Sequence, residues 1–257
     1  RRVYESDDWN MKNSGLSLFV KIKGTSAVDT LIAAVDSEDK KVRMAALKLG
    51  RDLGGEEETE LWVSQLDNLK GEKKAEVIYM LGERGDEGAY GAVVEIAKDK
   101  SESFAVRAAG LDAVRKIGGS EAVSDILDVL VSSDKATVKK AKDMLFLIEG
   151  EEVFSQSAER LADSNISGDA EIALIDLLVV RRAVEYKDVI WSKARSENKW
   201  VSRAAIEAIG KLGDGDDVEG LIGLIKDYED SRLSSARSSL IALVNKNDVN
   251  GQVDKVI

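Results

Sequence analysis

Apolar residues recur along this chain at the spacing of amphipathic helices, in short segments separated by polar turns. In the segment SEAVSDILDVLVSS (120–133), Val123, Ile126, Leu127 and Leu130 would share one face of a helix. Ser, Asp and Glu crowd the starts of such segments, where they can bind free N–H groups and oppose the helix dipole. Glycine follows many of the segments, as is usual where a helix ends and the chain reverses. The pattern predicts an all-α chain.

The helical segments repeat with a fixed period. An anchor residue, valine in four copies, is followed twelve residues later by glycine in five copies, and two further copies are degenerate. The anchors are Val42, Lys73, Val106, Val138, Ala170, Val201 and Leu233, separated by 31, 33, 32, 32, 31 and 32 residues. Each unit holds a first helix before the anchor and a second helix that begins near it. Stacked helix pairs can bury an apolar stripe that neither helix could bury alone.

The period predicts one domain over residues 1–257, an α-solenoid of about seven helix pairs in a right-handed superhelix. Within it, residues 1–24 would be a partial N-terminal repeat or cap, and 248–257 the stub of a further helix. The second-helix sequences VRMAALKLGRDLG, VRAAGLDAVRKIG and VSRAAIEAIGKLG resemble HEAT-like repeats of the short, bilin-lyase type. The resemblance covers roughly residues 9–257.

Composition excludes several classes of function. The net charge of −11 argues against a nucleic-acid partner, and no apolar run approaches the ~18 residues of a membrane span. We therefore expect a soluble protein without a membrane partner. Its compartment stays open between the cytoplasm and export with the leader removed, because the chain begins RRVYESDD without Met. The oligomeric state is equally open.

Catalytic and metal-binding patterns are missing from the sequence. Histidine and cysteine are absent, which removes the commonest general base, thiolate catalysis and zinc–thiolate sites. That absence also excludes the activity of deoxyhypusine hydroxylases, HEAT-like relatives whose His-Glu pairs bind iron. The segment GDGDDVEG (213–220) is similar to a calcium loop, yet Ile225 stands where the closing glutamate belongs. Helix capping explains this segment better than a metal site does. Together with the missing histidine and cysteine, this leads us to expect no catalysis, no cofactor and no metal.

A basic residue follows the anchor in each of the first four units. In HEAT-like repeats the arginine at this place pairs with an acidic group of the turn and ties neighbouring repeats together. The resemblance implies such pairs for Arg43 with Asp39 and for Lys139 with Asp134. A packing device recurs from unit to unit, whereas a substrate site occurs once, so the packing interpretation is favoured. The alternative is a basic ladder that meets an acidic partner.

The sequence thus indicates a non-catalytic interaction scaffold that binds a protein or domain along the concave face of second helices. The candidate binding residues are Arg43, Lys74, Tyr79, Arg107, Arg115 and Lys139. Two alternatives remain: an accessory HEAT-like domain of a larger enzyme or a lyase-like protein that handles a cofactor or sugar, and a structural spacer. Among the tryptophans, Trp62 and Trp191 are expected in the core, and Trp200 at a partly exposed rim.

Overall fold

The computed structural model describes residues 9–163 and 165–247, and these residues form helices, turns and bends without a β-strand. The first eight residues and the predicted helix stub at 248–257 lie outside this part. The α-helices are α1 Trp9–Lys23, α2 Val28–Val35, α3 Lys40–Arg51, α4 Glu56–Ser64, α5 Gly71–Arg84, α6 Tyr90–Lys98, α7 Phe104–Gly118, α8 Val123–Ser132, α9 Lys135–Phe146, α10 Glu152–Ala162, α11 Gly168–Val180, α12 Lys187–Lys193, α13 Lys199–Leu212, α14 Val218–Asp227 and α15 Ser231–Asn247.

The predicted repeat matches the helices. Each anchor lies near the start of a second helix: it is the third residue of α3, α5, α7, α11, α13 and α15, and the fourth residue of α9. The first helices α2, α4, α6, α8, α10, α12 and α14 alternate with them. Several first helices are shorter than their sequence segments, because a 3-10 turn such as 119–122 or 215–217 precedes them. The predicted fold class, an all-α chain of about seven helix pairs, is confirmed.

The chain divides into two compact units, and unit 1 ends at Ile126. In unit 1 the helices α1, α3, α5 and α7 pack side by side in a row, so that α1 occupies the place of a second helix. The first helices pack behind them, α2 against α3, α4 against α5 and α6 against α7. Leu31, Trp62, Ile78, Leu81 and Leu111 are fully buried between the two layers.

Unit 2 begins at Leu127 and follows the same plan. Here α9, α11, α13 and α15 pack in a row, while α10, α12 and α14 lie against α11, α13 and α15. Leu145, Leu161, Leu174, Ile206 and Leu221 are fully buried in this unit. The single-domain solenoid and the handedness of its superhelix stay predictions.

Glycine closes the second helices in two different ways. Gly54, Gly85 and Gly150 adopt the left-handed backbone that the sequence predicts, with φ of 78°, 75° and 121°. The prediction is wrong at Gly118 and Gly213, whose φ values are −88° and −66°. There the glycine is needed for close contact instead. A Cβ on Gly118 would lie 2.5 Å from the Tyr90 ring, and one on Gly213 would lie 2.6 Å from a backbone carbonyl.

The degenerate unit anchored at Ala170 keeps the left-handed turn without glycine. Arg182, twelve residues after this anchor, has φ of 54° and is the non-glycine residue with positive φ in the described part of the chain. A β-carbon in this conformation crowds the following carbonyl, which costs roughly 1–2 kcal/mol. The backbone geometry of the repeat therefore persists at Arg182 where its sequence signature is lost.

Candidate protein-binding groove

Arg43 is buried, with only 4% of its surface exposed, and it joins neighbouring helix pairs. Its Nε donates to Glu76 at 2.8 Å and its Nη2 donates to Glu72 at 3.1 Å, both on α5 of the next pair. Its Nη1 donates to the carbonyl oxygens of residues 37 and 38 in the preceding turn. The hydrogen bond to Glu76 raises the pKa of Arg43. Asp39, the expected partner, instead caps α3 by accepting a backbone N–H.

Lys74 and Arg107 are also buried. Lys74 donates to Glu102 at 2.5 Å, which links α5 to the turn before α7. The Arg107 Nε donates to the carbonyl of Ala97 at 3.1 Å, near the end of α6. The first three members of the basic ladder are thus covered by the protein and make contacts between helices, as the packing interpretation expects.

Lys139, the fourth member, differs from the other three. Its side chain is exposed, because Thr137 and Val138 take the two adjacent buried positions that Val42 and Arg43 hold in α3. One residue of offset turns a side chain by about 100° around a helix with 3.6 residues per turn. Asp134 was expected to pair with Lys139, but it caps α9 through the backbone N–H groups of residues 136 and 137. The equivalence of Lys139 with Arg43 is therefore wrong.

Tyr79 lies in an open groove on the second-helix face of unit 1, which we name the Tyr79 groove. It has a volume of about 810 Å³ and runs across α3, α5 and α7. Its apolar lining consists of Met44, Leu47, Ala75, Tyr79, Met80, Ala105 and Ala109. Tyr79 and Met44 are 51% and 47% exposed, whereas Leu47 and Met80 are buried beneath them. The alanines end at Cβ, so they leave a depression beside the two large exposed side chains.

Ion pairs border the groove at one end. Lys40 Nζ lies 2.5 Å from Glu72 Oε1, and this contact lowers the pKa of Glu72 and raises that of Lys40. Glu76 is held by Arg43, as described above. These charges belong to adjacent second helices, so they fix α3 and α5 next to each other as well as bordering the groove.

A second set of charges lies towards the ends of α5 and α7. Lys116 Nζ is 2.6 Å from Glu83 Oε1 and 2.5 Å from Asp112 Oδ2. The same ammonium group lies 4.2 Å from the centroid of the Tyr79 ring, within the range of a cation–π contact. Its hydrogen bond lowers the pKa of Glu83. Lys116 thereby holds Tyr79 towards α7, and about half of the Tyr79 surface stays exposed.

Arg115 does not join the groove. Its Nη2 is 3.5 Å from Asp112, and its Nε is buried without a hydrogen-bond partner among the described residues. Of the six candidate binding residues, Tyr79 therefore lines the groove, while Arg43, Lys74 and Arg107 make internal contacts.

A protein-family model and a solved structure are similar to this chain. Residues 59–145, from α4 to α9, match the family model described as HEAT repeats. Residues 59–145 contain HEAT-like repeats. The matched segment includes α5 and α7, which carry much of the Tyr79 groove. No curated protein matches the sequence. A solved structure of human deoxyhypusine hydroxylase in complex with glycerol is similar at 17% identity, with a TM-score of 0.41, covering 89% of this chain and 99% of that one.

Arg84 makes a contact between neighbouring helix pairs that is not among the sequence predictions. Its side chain is 2% exposed, and its guanidinium donates to the carbonyls of Gly50 at 2.6 Å and Leu53 at 2.8 Å, at the end of α3. Its Nη2 also donates to Asp86 at 2.8 Å. The hydroxyl of Thr59 and then Arg84 hold the pKa of Asp86 below its usual range.

A signal for this contact does exist in the repeat. Arg84 stands eleven residues after its anchor, and Arg181 stands eleven residues after Ala170. Arg181 likewise donates to a carbonyl of the previous second helix, that of Phe146 at 2.7 Å. Comparing anchor-plus-eleven positions would have found both arginines.

In unit 2 the acidic segment 213–220 stabilises the turn between α13 and α14. Asp214 and Asp217 exchange hydrogen bonds that cap the turn before α14. Asp217 also accepts from Lys187 Nζ at 2.8 Å and from the indole N–H of Trp191 at 2.6 Å. These contacts fit the capping interpretation. Trp62 is fully buried, as expected, whereas Trp200 is 69% exposed.

Within residues 9–163 and 165–247, no cluster of three or more acidic side chains has the arrangement of a metal site. Over the same residues, no helix combines the length and apolarity that crossing a membrane requires.

Proposed function

We propose that this chain is a non-catalytic scaffold that binds a protein partner in the Tyr79 groove. The proposal rests on the exposure of Tyr79 and Met44. These two side chains lie beside a depression that is lined by alanines and bordered by charged residues. Tyrosine and methionine are enriched in the cores of protein interfaces, and an exposed apolar patch with a polar rim is typical of an interaction site.

The groove is supported from beneath and from its borders. The buried Leu47 and Met80 lie under its floor, and the pairs of Lys40 with Glu72 and of Lys116 with Glu83 join the helices that form it. A site held in shape before binding loses less conformational freedom when a partner arrives. HEAT-like repeats supply this kind of stacked, extended surface.

The charges around the groove favour binding over catalysis. A general acid at neutral pH needs a raised carboxyl pKa. The groove carboxylates Glu72 and Glu83 instead have lowered pKa values, because each is hydrogen-bonded to a lysine. Tyr79 is the one aromatic side chain of the lining, which favours a protein segment over the aromatic-lined pocket expected for a cofactor or sugar.

The proposal is tested by capture from an extract of the chain's own source. Wild-type protein, a Tyr79→Ala variant and a Trp200→Ala variant are compared, each checked for equal helicity by circular dichroism. Trp200 is a matched control because it is an exposed aromatic residue in unit 2.

We expect one dominant protein bound by the wild type and by Trp200→Ala. Tyr79→Ala should weaken its binding about thirtyfold, since truncating a hot-spot aromatic costs roughly 2 kcal/mol or more. Capture of the same proteins by Tyr79→Ala, or no enrichment over empty resin, would show that the groove does not bind a protein.

A further inference from the structure

Most of the charged side chains around the Tyr79 groove have a partner of opposite charge. At the end near the start of α3, Lys40 and Arg43 are satisfied by Glu72 and Glu76. Near the end of α5, Glu83 is satisfied by Lys116. Each of these charges has a partner of opposite sign, so the pairs carry no net charge.

Lys48 is the exception among the cations that line the groove. It follows Met44 by one helical turn, its side chain is exposed, and it forms no ion pair or hydrogen bond with any described residue. Arg51, one turn further, is paired with its own neighbour Asp52 at 2.7 Å. Lys48 acts on Asp52 only through a minor Coulombic attraction. The border of the groove therefore carries one uncompensated positive charge next to its exposed methionine.

The walls of the groove restrict the conformation of an occupant. They are helices α3, α5 and α7, whose backbone donors and acceptors are bonded within the helices themselves. No strand edge is offered to an extended peptide, which would leave its own backbone groups without partners. A helical segment satisfies its own backbone, and it can place an apolar stripe on the alanines.

The span of the groove sets the length of that segment. Three neighbouring helices spaced by 8–10 Å extend over roughly 20 Å, which about thirteen helical residues would cover at 1.5 Å per residue. Ala75 on α5 and Ala105 and Ala109 on α7 line the groove and end at Cβ, so they leave room for apolar side chains of the occupant. Charge complementarity adds a carboxylate at the end near Lys48.

We infer that the Tyr79 groove binds an acidic amphipathic helix of about three to four turns, whose apolar side chains rest on Ala75, Ala105 and Ala109 and whose Asp or Glu pairs with Lys48. This inference rests on the proposed function and specifies the chemistry of its partner. Tyr79 and Met44 contact the apolar stripe of the bound helix. Lys48 pairs with its acidic residue and thereby fixes the position of the helix along the groove.

A displayed library of random sixteen-residue peptides tests the inference without knowledge of the natural partner. It is selected against wild-type protein and against Lys48→Glu, with Lys100→Glu as the matched control. Lys100 is an exposed lysine in the turn before α7 and does not line the groove. Wild type and Lys100→Glu should both enrich peptides with apolar residues at helical spacing and an excess of Asp and Glu. Lys48→Glu should enrich Lys or Arg at the same places.

One selected peptide is then measured by fluorescence anisotropy. Replacing its acidic residue by the amide should weaken binding to wild type about fivefold, the upper range for an exposed charge pair, and should have no effect on Lys48→Met. Tyr79→Ala should weaken binding of the original peptide about thirtyfold.

Different negative results would overturn the inference and the proposed function. The first negative result is that peptides bind through Tyr79 but the amide peptide binds wild type and Lys48→Met with equally reduced affinity. Lys48 then does not pair with the acidic residue and the inference is overturned, while the proposed binding of a protein in the groove is unaffected. If no peptide is enriched yet the extract yields a Tyr79-dependent partner, the partner is not a helical segment and the inference fails alone. If neither experiment yields a Tyr79-dependent ligand, the proposed function fails with it.

Discussion

Replacement of Arg84 by methionine should remove the most connected side chain of unit 1. The guanidinium donates to four backbone carbonyls between residues 50 and 55, to the Thr59 hydroxyl and to the Asp86 carboxylate. Methionine is close to arginine's aliphatic stem in length, so packing is largely kept while the donors and the charge are lost. The helix α3 then ends with carbonyls that have lost these donors.

The size of the effect follows from burial. The Arg84 side chain is 2% exposed, so water replaces its donors poorly, and Asp86, whose side chain is 30% exposed, loses its ion-pair partner. Removing one member of a fully buried ion pair costs about 3–5 kcal/mol of unfolding free energy, and the partial exposure of Asp86 places the expected loss at the lower end, about 3 kcal/mol. Arg84→Lys keeps the charge but has a single nitrogen for six acceptors, so we expect a smaller loss of about 1–3 kcal/mol.

Urea unfolding followed by circular dichroism measures the loss, and hydrogen exchange locates it. Exchange should accelerate in α3, α4 and the turn between them, and should stay unchanged in unit 2. Arg237→Met is the control, because Arg237 is exposed on α15 and its loss should change the unfolding free energy by less than about 0.5 kcal/mol. A loss below about 1 kcal/mol in Arg84→Met would refute the reasoning, since water would then satisfy the carbonyls.

Three further changes test other features of the structure. Arg182→Gly should raise the unfolding free energy by about 1 kcal/mol in urea denaturation, because glycine removes the strain of a φ of 54°; an unchanged or lower value would contradict that strain. Gly82→Ala should lower it by about 1–3 kcal/mol, since the new Cβ would lie 2.9 Å from the Ala113 Cα, whereas Gly88→Ala meets no atom within 4 Å and serves as its control. Asp86→Asn should lose stability at pH 7 but approach the wild type in acid: the lowered pKa of Asp86 contributes stability in full above its unfolded value of about 3.9, and that part disappears as pH falls through the folded pKa. Urea midpoints at pH 7, 4 and 2.5 measure the difference, and a constant gap would show that the Asp86 charge is not involved.

The repeat could be predicted from sequence because its signals are local. An anchor with glycine twelve residues later marks a helix and its end, so Val42, Val106 and Val201 each fell on the third residue of a helix. The same reasoning failed by one residue at Val138. Thr137 is as buried there as a valine would be, and apolarity alone does not show which of two adjacent residues faces the core.

The site was harder to predict because its contacts join different helices. Tyr79 is a candidate binding residue of the second-helix face from the sequence, but the sequence does not show that alanines of α7 leave space beside it. Arg43 was expected to meet its own turn, which it does through carbonyls, while its carboxylate partners lie on α5. Those distances depend on how the pairs stack, and the sequence of one repeat does not contain that information.

The contacts between neighbouring pairs also bear on how this chain folds. Arg43 and Glu76, Arg84 and Gly50, and Lys142 and Asp176 are separated by 33, 34 and 34 residues. Closing a loop costs free energy that grows with its length, by about 0.6 kcal/mol per doubling, and in these three contacts the loop is close to one repeat. Within a unit, a nucleus formed at one pair can therefore recruit the next pair at a similar entropic cost. Lengthening such a chain by one more pair would add stability without adding a slower step.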